Sequence, residues 1–254
     1  MPPADAHSGP GPGAASVRPG PTGSGETRFP AFPGFGAEDD DADSEDTLDL
    51  HLPAEFLALF RPKTPELLDG LPEWGPVTTP AGSFRLEPVS PERDLALIHG
   101  WMNDPAVAEF WDLAGPPELT ERHLRTQLDG DGRSVPCLGL LDGTPMSYWE
   151  IYRADLDPLA RHCPVRPHDT GIHLLIGAPE QRGRGLGSTL LAAVAVLVLA
   201  RRPACARVLA EPDVRNAPSL AAFRKAGFRR TAEVDLPGKR AALMIRERAA
   251  RAAA

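Results

Sequence analysis

The feature that most constrains the fold lies past the middle of the chain. Residues 171–177 read Gly-Ile-His-Leu-Leu-Ile-Gly, residues 181–187 read Gln-Arg-Gly-Arg-Gly-Leu-Gly, and an almost unbroken apolar run covers residues 190–200. The order is that of a strand, a glycine-rich turn and a helix. Gly183, Gly185 and Gly187 lack a Cβ, so the backbone can crowd a ligand there, and the first N–H groups of the helix that follows have no carbonyl partners within it. A turn of this kind binds anions, phosphate first. It is not a P-loop, because no Gly-Lys-Ser/Thr follows, and Gly-x-Gly-x-Gly departs from the dinucleotide fingerprint Gly-x-Gly-x-x-Gly.

A chain of 254 residues suits one ordinary domain with an extension. Residues 1–46 are dominated by Pro, Gly, Ala, Ser and acids, too little apolar surface to offset the entropy of ordering, and are expected to form a disordered leader. Before Pro80 there are 14 acids and 4 bases, a net −10; after it there are 21 acids and 23 bases, a net +2. The acidity therefore belongs to the leader, and the mildly basic remainder suits a small polyanionic ligand rather than nucleic acid. No secretory signal is visible, and the longest apolar run is about half of the roughly 20 residues that a membrane span needs. Cys137, Cys163 and Cys205 have no metal-ligand spacing, so no metal is expected, and the default setting is the reducing cytoplasm.

Residues 47–52 alternate apolar and polar as a half-buried strand would, residues 53–60 suit a short helix, and the proline-rich stretch up to residue 82 suggests an irregular connection; together they form an arm over 47–82. The domain proper is expected over 83–249. Residues 84–88 read as a strand, and Ser90-Pro91 opens a helix running to about Asn103. The aromatic stretch around Trp101, Phe110 and Trp111, next to a loop broken by proline, suits either core or the wall of a pocket. A helix over 118–128 follows, then a hairpin of strands 135–141 and 146–152 turning at Asp142-Gly143. Trp149, Glu150 and Tyr152 lie on its second strand. The central strand, a helix over 188–200 and a strand over 206–211 imply a right-handed parallel crossover. A short helix over 218–226 and a hairpin turning at Pro237-Gly238 end the chain. Asn216 is placed either to cap that helix or to touch a ligand, and His173 is either a satisfied strand histidine or a functional one. The expected class is α/β, a mixed, mostly antiparallel sheet around a central parallel strand pair with helices on both faces.

The spacing Arg182-x-x-Gly185-x-Gly187 resembles the pyrophosphate loop of the GNAT acyltransferases, Arg/Gln-x-x-Gly-x-Gly/Ala. That resemblance implies the GNAT fold and an acyl-CoA co-substrate. The CoA would lie along Leu175, Ile176 and Gly177, across Arg182, Gly183, Arg184, Gly185, Leu186, Gly187 and Ser188, and beside Asn216, Ser219 and Phe223. Phe223 stands where many members carry the tyrosine that protonates the leaving thiol. Trp101-Met-Asn-Asp-Pro, Glu150-Ile-Tyr152, Asp157-Pro-Leu159, the central strand, Glu211-Pro-Asp213-Val-Arg-Asn216 and Lys239-Arg-Ala-Ala-Leu-Met244 narrow the likeness to one branch. This is the N-hydroxy-amine acyltransferases of hydroxamate siderophore assembly, and the likeness spans about residues 84–248.

In that branch the histidine of the central strand binds the acceptor and the aspartate of Glu-Pro-Asp takes the proton, which maps onto His173 and Asp213. Trp111, Trp149, Glu150 and Tyr152 would complete the acceptor pocket. The implied partner is a small N-hydroxy amine of the N6-hydroxylysine or N-hydroxycadaverine type, with contact to other siderophore-assembly enzymes. An alkyl ammonium, near pKa 10, must lose a proton before it attacks, whereas a hydroxylamine nitrogen is already largely neutral at pH 7. Two competing readings are an ordinary GNAT enzyme acting on an unmodified amine and a non-catalytic acyl-CoA-binding module.

Overall fold

The computed structural model of the chain describes residue 68 and residues 70–249; the expected leader over 1–46 and the strand and helix expected over 47–60 lie outside the described residues. The described chain runs β1 (Val77–Thr79), β2 (Gly82–Pro88), α1 (Pro91–Met102), α2 (Pro105–Trp111), α3 (Pro117–Leu128), β3 (Ser134–Leu141), β4 (Thr144–Arg153) and β5 (Thr170–Ile176). It continues through α4 (Leu186–Arg201), β6 (Arg207–Ala210), α5 (Ala217–Lys225), β7 (Arg229–Leu236) and β8 (Lys239–Glu247). The strands make one sheet in the order β1-β2-β3-β4-β5-β6-β8-β7. Every pairing is antiparallel except β5 with β6.

Two elements depart from the expectations. The sheet begins at β1, inside the stretch expected to be irregular, because the Thr79 hydroxyl donates to Gly82 O and accepts from Ala81 N, closing the turn into β2. The stretch after Trp101 is a helix, α2. Pro105 breaks nothing there: it occupies the first turn, where a missing N–H costs nothing, and the Asp104 carboxylate caps the helix by accepting from Ala106 N. At the Asp142-Gly143 hairpin both residues have positive φ, 49° and 82°, as a two-residue turn matched to strand twist requires.

The sheet buries both faces. On one, Trp149, Ile151, Ile172 and Phe84 pack against Leu190, Leu191, Val194 and Val198 of α4, with Phe223 of α5 in the same cluster. On the other, Tyr148, Leu138 and Leu175 meet Ile98, Met102, Val107 and Leu124 of α1, α2 and α3. Side chains alternate along β4, so Trp149 goes to the α4 face while Tyr148, Glu150 and Tyr152 go to the other. Trp149 is completely buried, and its indole N–H donates to Ser147 Oγ. The expected acceptor contact at Trp149 is therefore corrected to a core position.

A Cβ placed at Gly171 would run into the Tyr152 ring. Gly171→Ala is expected to destabilise the protein by about 1–3 kcal/mol, as overpacking does. A lowered midpoint in urea denaturation checks this, and an unchanged midpoint would mean that Tyr152 moves freely.

Candidate active site

Only Thr170↔Val208 and Gly171↔Leu209 pair β5 with β6, so the two strands part beyond Gly171. A cavity of about 350 Å³ opens at this parting and extends to the loop before α4. Of the residues expected to hold the cofactor, Leu175, Ile176, Arg182, Gly183, Gly185, Gly187, Ser188, Asn216, Ser219 and Phe223 line it. Gly183 and Gly185 have φ of 71° and 82°, a region that costs glycine nothing. No acidic residue occupies the first turn of α4, so its N–H groups and the positive end of its dipole face the cavity uncompensated.

The two loop arginines differ. Arg182 donates Nε–H to Ile176 O at 2.9 Å, Nη2 to Gly177 O and Nη1 to Asp104 Oδ1 at 2.8 Å, so its guanidinium clamps the loop to β5 and to the cap of α2. Arg184 is exposed and has no side-chain partner among the described residues, which leaves its charge available to a phosphate. Gly177 is needed for another reason than cofactor approach, since a Cβ there would enter the Trp101 ring. Its N–H donates to Met146 O at 2.8 Å. By strand alternation the Ile176 N–H points the other way, into the parting, where a thioester carbonyl would be polarised. Asn216 caps α5, its Oδ1 accepting from Ser219 N at 3.0 Å, and still lines the cavity. Phe223 is buried edge-on against Phe228.

Trp111 lines the far end of the cavity and meets His173 edge-on at 6.0 Å. Here the structure builds a cluster that the sequence only half showed. His173 Nδ1–H donates to Glu150 Oε2 at 2.7 Å, and its Nε2–H donates to Glu211 Oε1. The Tyr152 hydroxyl donates to Glu211 Oε2 at 2.8 Å, and the Tyr148 hydroxyl to Glu150 Oε1 at 2.9 Å. The carboxylates are buried, at 8% and 7% side-chain exposure, while the imidazole is 33% exposed. Burial alone would lower the His173 pKa, but the Glu211 charge and the hydrogen bonds to both carboxylates push it up to about 10. Burial would raise Glu211, but the charge and hydrogen bond of His173, the Lys239 ammonium at 3.8 Å and the Tyr152 hydroxyl hold it at about 2. Glu150 is likewise held well below its usual value, hydrogen bonds from His123 and His173 overcoming its burial.

Asp213 is not part of this cluster. Its carboxylate accepts from the Arg215 guanidinium and from Arg215 N, which lowers its pKa, and its backbone bridges Ala241. The register explains the difference: Gly171 lies opposite Leu209, so two residues on His173 lies opposite Glu211, and Asp213 falls a further two residues, roughly 7 Å, along. The pairing expected for Asp213 is corrected to Glu211. Sequence reasoning also passed over His123 and Gln127 of α3, which both donate to Glu150; their four-residue spacing on one helix face was the available signal.

The family description "Acetyltransferase (GNAT) domain" matches residues 90–236. The chain belongs to the GNAT acetyltransferases. It is accordingly an enzyme, transferring an acyl group from CoA to nitrogen. Among curated relatives it is 36% identical to a lysine N-acyltransferase, MbtK, of Mycobacterium sp. (strain MCS), over 66% of this chain and 68% of the relative. It is 35% identical to an Escherichia coli protein named N(6)-hydroxylysine O-acetyltransferase, over 65% of this chain and 52% of that one. These relatives match the siderophore branch of the family. Among solved structures, aminoglycoside acetyltransferase AAC(6')-Ib in complex with coenzyme A superposes with a TM-score of 0.59 at 26% identity, over 65% of this chain and 95% of that one. No helix among the described residues is long and apolar enough to cross a membrane.

The titration of the cluster sets a pH window for stability. The raised His173 pKa contributes stability that is complete below its usual 6.5 and is lost as pH rises toward about 10. The lowered Glu211 pKa contributes stability that is complete above its usual 4.5 and is lost as pH falls toward about 2. The destabilisation caused by His173→Gln, read by urea denaturation, should therefore be largest between pH 4.5 and 6.5 and shrink toward pH 10. A pH-independent difference would show that the imidazole is not held as a cation.

Proposed function

We propose that the protein acylates the hydroxylamine nitrogen of an N-hydroxylated lysine or diamine, of the N6-hydroxylysine or N-hydroxycadaverine type. The acyl donor is acetyl-CoA or succinyl-CoA, no metal takes part, and the product is a hydroxamate for siderophore assembly in the cytoplasm. The observation that carries this reading is the double hydrogen bonding of His173, whose two ring nitrogens are both engaged by carboxylates and leave none free to take a proton. The charge and hydrogen bond of His173 in turn hold Glu211 well below the usual carboxylate range. Moving a proton from an alkyl ammonium near pKa 10 to so weak a base is strongly uphill. A hydroxylamine needs no such step, because its nitrogen arrives with a free lone pair.

In this mechanism the nitrogen attacks the thioester carbon, the C–N bond forms and the C–S bond breaks. The oxyanion is met by the Ile176 N–H. The nitrogen proton, made strongly acidic by the attack, passes to Glu211 and from there to the departing thiolate, giving the hydroxamate and the CoA thiol. Glu211 thus takes the role that the resemblance assigned to Asp213. His173, fixed from both sides, is the cation that keeps Glu211 ionised and aligns the N–OH group beside Trp111 and Tyr152.

The name of the Escherichia coli relative includes hydroxylysine and so supports an N-hydroxylated acceptor, though that name puts the acetyl group on oxygen. The name of the mycobacterial relative, a lysine N-acyltransferase, favours a second reading in which unmodified lysine is acylated. A thiol-release assay with lysine, cadaverine and their N-hydroxy forms separates the two. Turnover should be confined to the N-hydroxy forms, with a product that gives the colour of a ferric hydroxamate. Equal rates on lysine would replace this reading with the second, and an acylated product without ferric colour would move the acyl group to oxygen.

Two substitutions test the assignments. Glu211→Gln should lower kcat by roughly 10²–10⁴-fold, the range for general acid–base groups, and by more than Asp213→Asn does; the reverse ranking would return the role to Asp213. Arg184→Ala should raise the acyl-CoA KM while leaving the acceptor KM in place, and equal changes in both would make Arg184 structural.

A further inference from the structure

Glu150 is the most heavily bonded carboxylate of the site, and part of its bonding comes from a helix outside the two central strands. His123 and Gln127 lie one turn apart on α3 and reach across to β4. Glu150 Oε1 accepts from His123 Nε2, from Gln127 Nε2 at 2.8 Å and from the Tyr148 hydroxyl at 2.9 Å, which leaves Oε2 for His173. Gln127 is itself oriented by Ser134, whose hydroxyl donates to its Oε1 at 2.7 Å.

Since Glu150 is ionised, the His123 Nε2 that faces it must carry a hydrogen whatever the charge of the ring. Gln127 Nε2, 3.0 Å from the same ring nitrogen, is then a second donor to the shared oxygen rather than a partner of the imidazole. The His123 side chain is 31% exposed, against 8% for Glu150, and its Nδ1 has no partner among the described residues. The charged groups that surround His173 from the other elements are Glu211 after β6, Lys239 of β8 and Asp157 in the loop after β4. None of them makes a hydrogen bond to Glu150 among the described residues.

We infer that His123 is a positioning residue of the acyl-acceptor site: its Nε2–H holds Glu150 in the orientation that receives the His173 Nδ1–H, and its Nδ1 joins the buried hydrogen-bonded chain to solvent. The inference rests on the reading of the cluster as the acceptor end of the site. Its chemistry is that of a buried carboxylate shared between donors. Removing one charge-assisted hydrogen bond frees the carboxylate to turn, and the imidazolium loses the partner that sets its tilt.

The test compares His123→Leu, which fills the space without a donor, with His123→Gln, whose amide can donate to Glu150, both in the full-length chain. A packing role is served by leucine at least as well as by glutamine; a donor role is served only by glutamine. The expected result is a loss of kcat of roughly tenfold or more in His123→Leu at an unchanged acyl-CoA KM, largely restored in His123→Gln. Wild-type turnover in His123→Leu, or equal losses in both variants, would overturn the proposal.

A second measurement needs neither acceptor nor acyl donor. In imidazole-labelled protein at neutral pH, NMR of the wild type should show both His173 ring N–H protons protected from exchange. His123→Leu should lose the Nδ1–H signal while keeping the Nε2–H signal, and His123→Gln should retain both. Retention of both signals in His123→Leu would sink the proposal whatever the acceptor proves to be. Failure of the acceptor assignment with loss of the Nδ1–H signal would leave the positioning role standing.

Discussion

The active site depends on an interaction that stops early. β5 and β6 are joined over two residue pairs and then separate, although each remains hydrogen-bonded to an antiparallel neighbour on its outer side. The unpaired inner edges leave donors and acceptors that a fully zipped sheet would have consumed. Arg182 satisfies the Ile176 and Gly177 carbonyls from the loop side, acting as a stand-in for the missing strand. The Ile176 N–H is left facing the gap. A cavity along Leu174–Ile176, with a helix N-terminus on one side and Trp111, which meets His173 edge-on, on another, is the direct product of that shortened pairing.

Placing His173 and Glu211 just beyond the last pair has an energetic consequence. Two carboxylates taken out of water are expensive unless each is matched by donors, and breaking such a group by removing one partner leaves an uncompensated buried charge. The protein matches them with the imidazolium between them, two tyrosine hydroxyls, Gln127, His123 and the Lys239 ammonium. The tyrosines are locked as neutral donors, since burial and the adjacent carboxylates push both phenols well above their usual pKa. The resulting site is rich in fixed charge, with His173 and both carboxylates engaged by one another. Such a site suits a nucleophile that arrives already deprotonated.

What the sequence disclosed and what it hid divide along physical lines. The Asp142-Gly143 turn, the Asn216 cap, the Pro91 helix start and the glycine-rich turn before α4 are encoded by residues adjacent in the chain, and each lies where its local chemistry puts it. Pro105 taken alone suggests a broken loop, but behind the Asp104 cap it starts helix α2. Trp149 was grouped with Glu150 and Tyr152 although alternation along one strand already sends it to the opposite face. Glu211 was hidden for a different reason. Its meeting with His173, 38 residues away, depends on the parallel register, and that register is set by how α4 crosses between the strands rather than by any local pattern.

Helix α2 joins the two halves of the site. Its capping residue, Asp104, accepts from Arg182 of the glycine-rich loop before α4, and its last residue, Trp111, lies edge-on against both His173 and Tyr148. Seven helical residues span roughly 10 Å, the distance over which a rigid element can relate the two ends without a hinge. The Asp104 pair with Arg182 is partly exposed, so its contribution to stability is small, on the order of 0–1 kcal/mol. Its worth is geometric: a loop displaced from Asp104 would also displace Trp111, the wall beside His173. The glycine-rich loop and the His173 cluster are therefore both positioned by one short helix, and the spacing between them is kept because that helix cannot stretch.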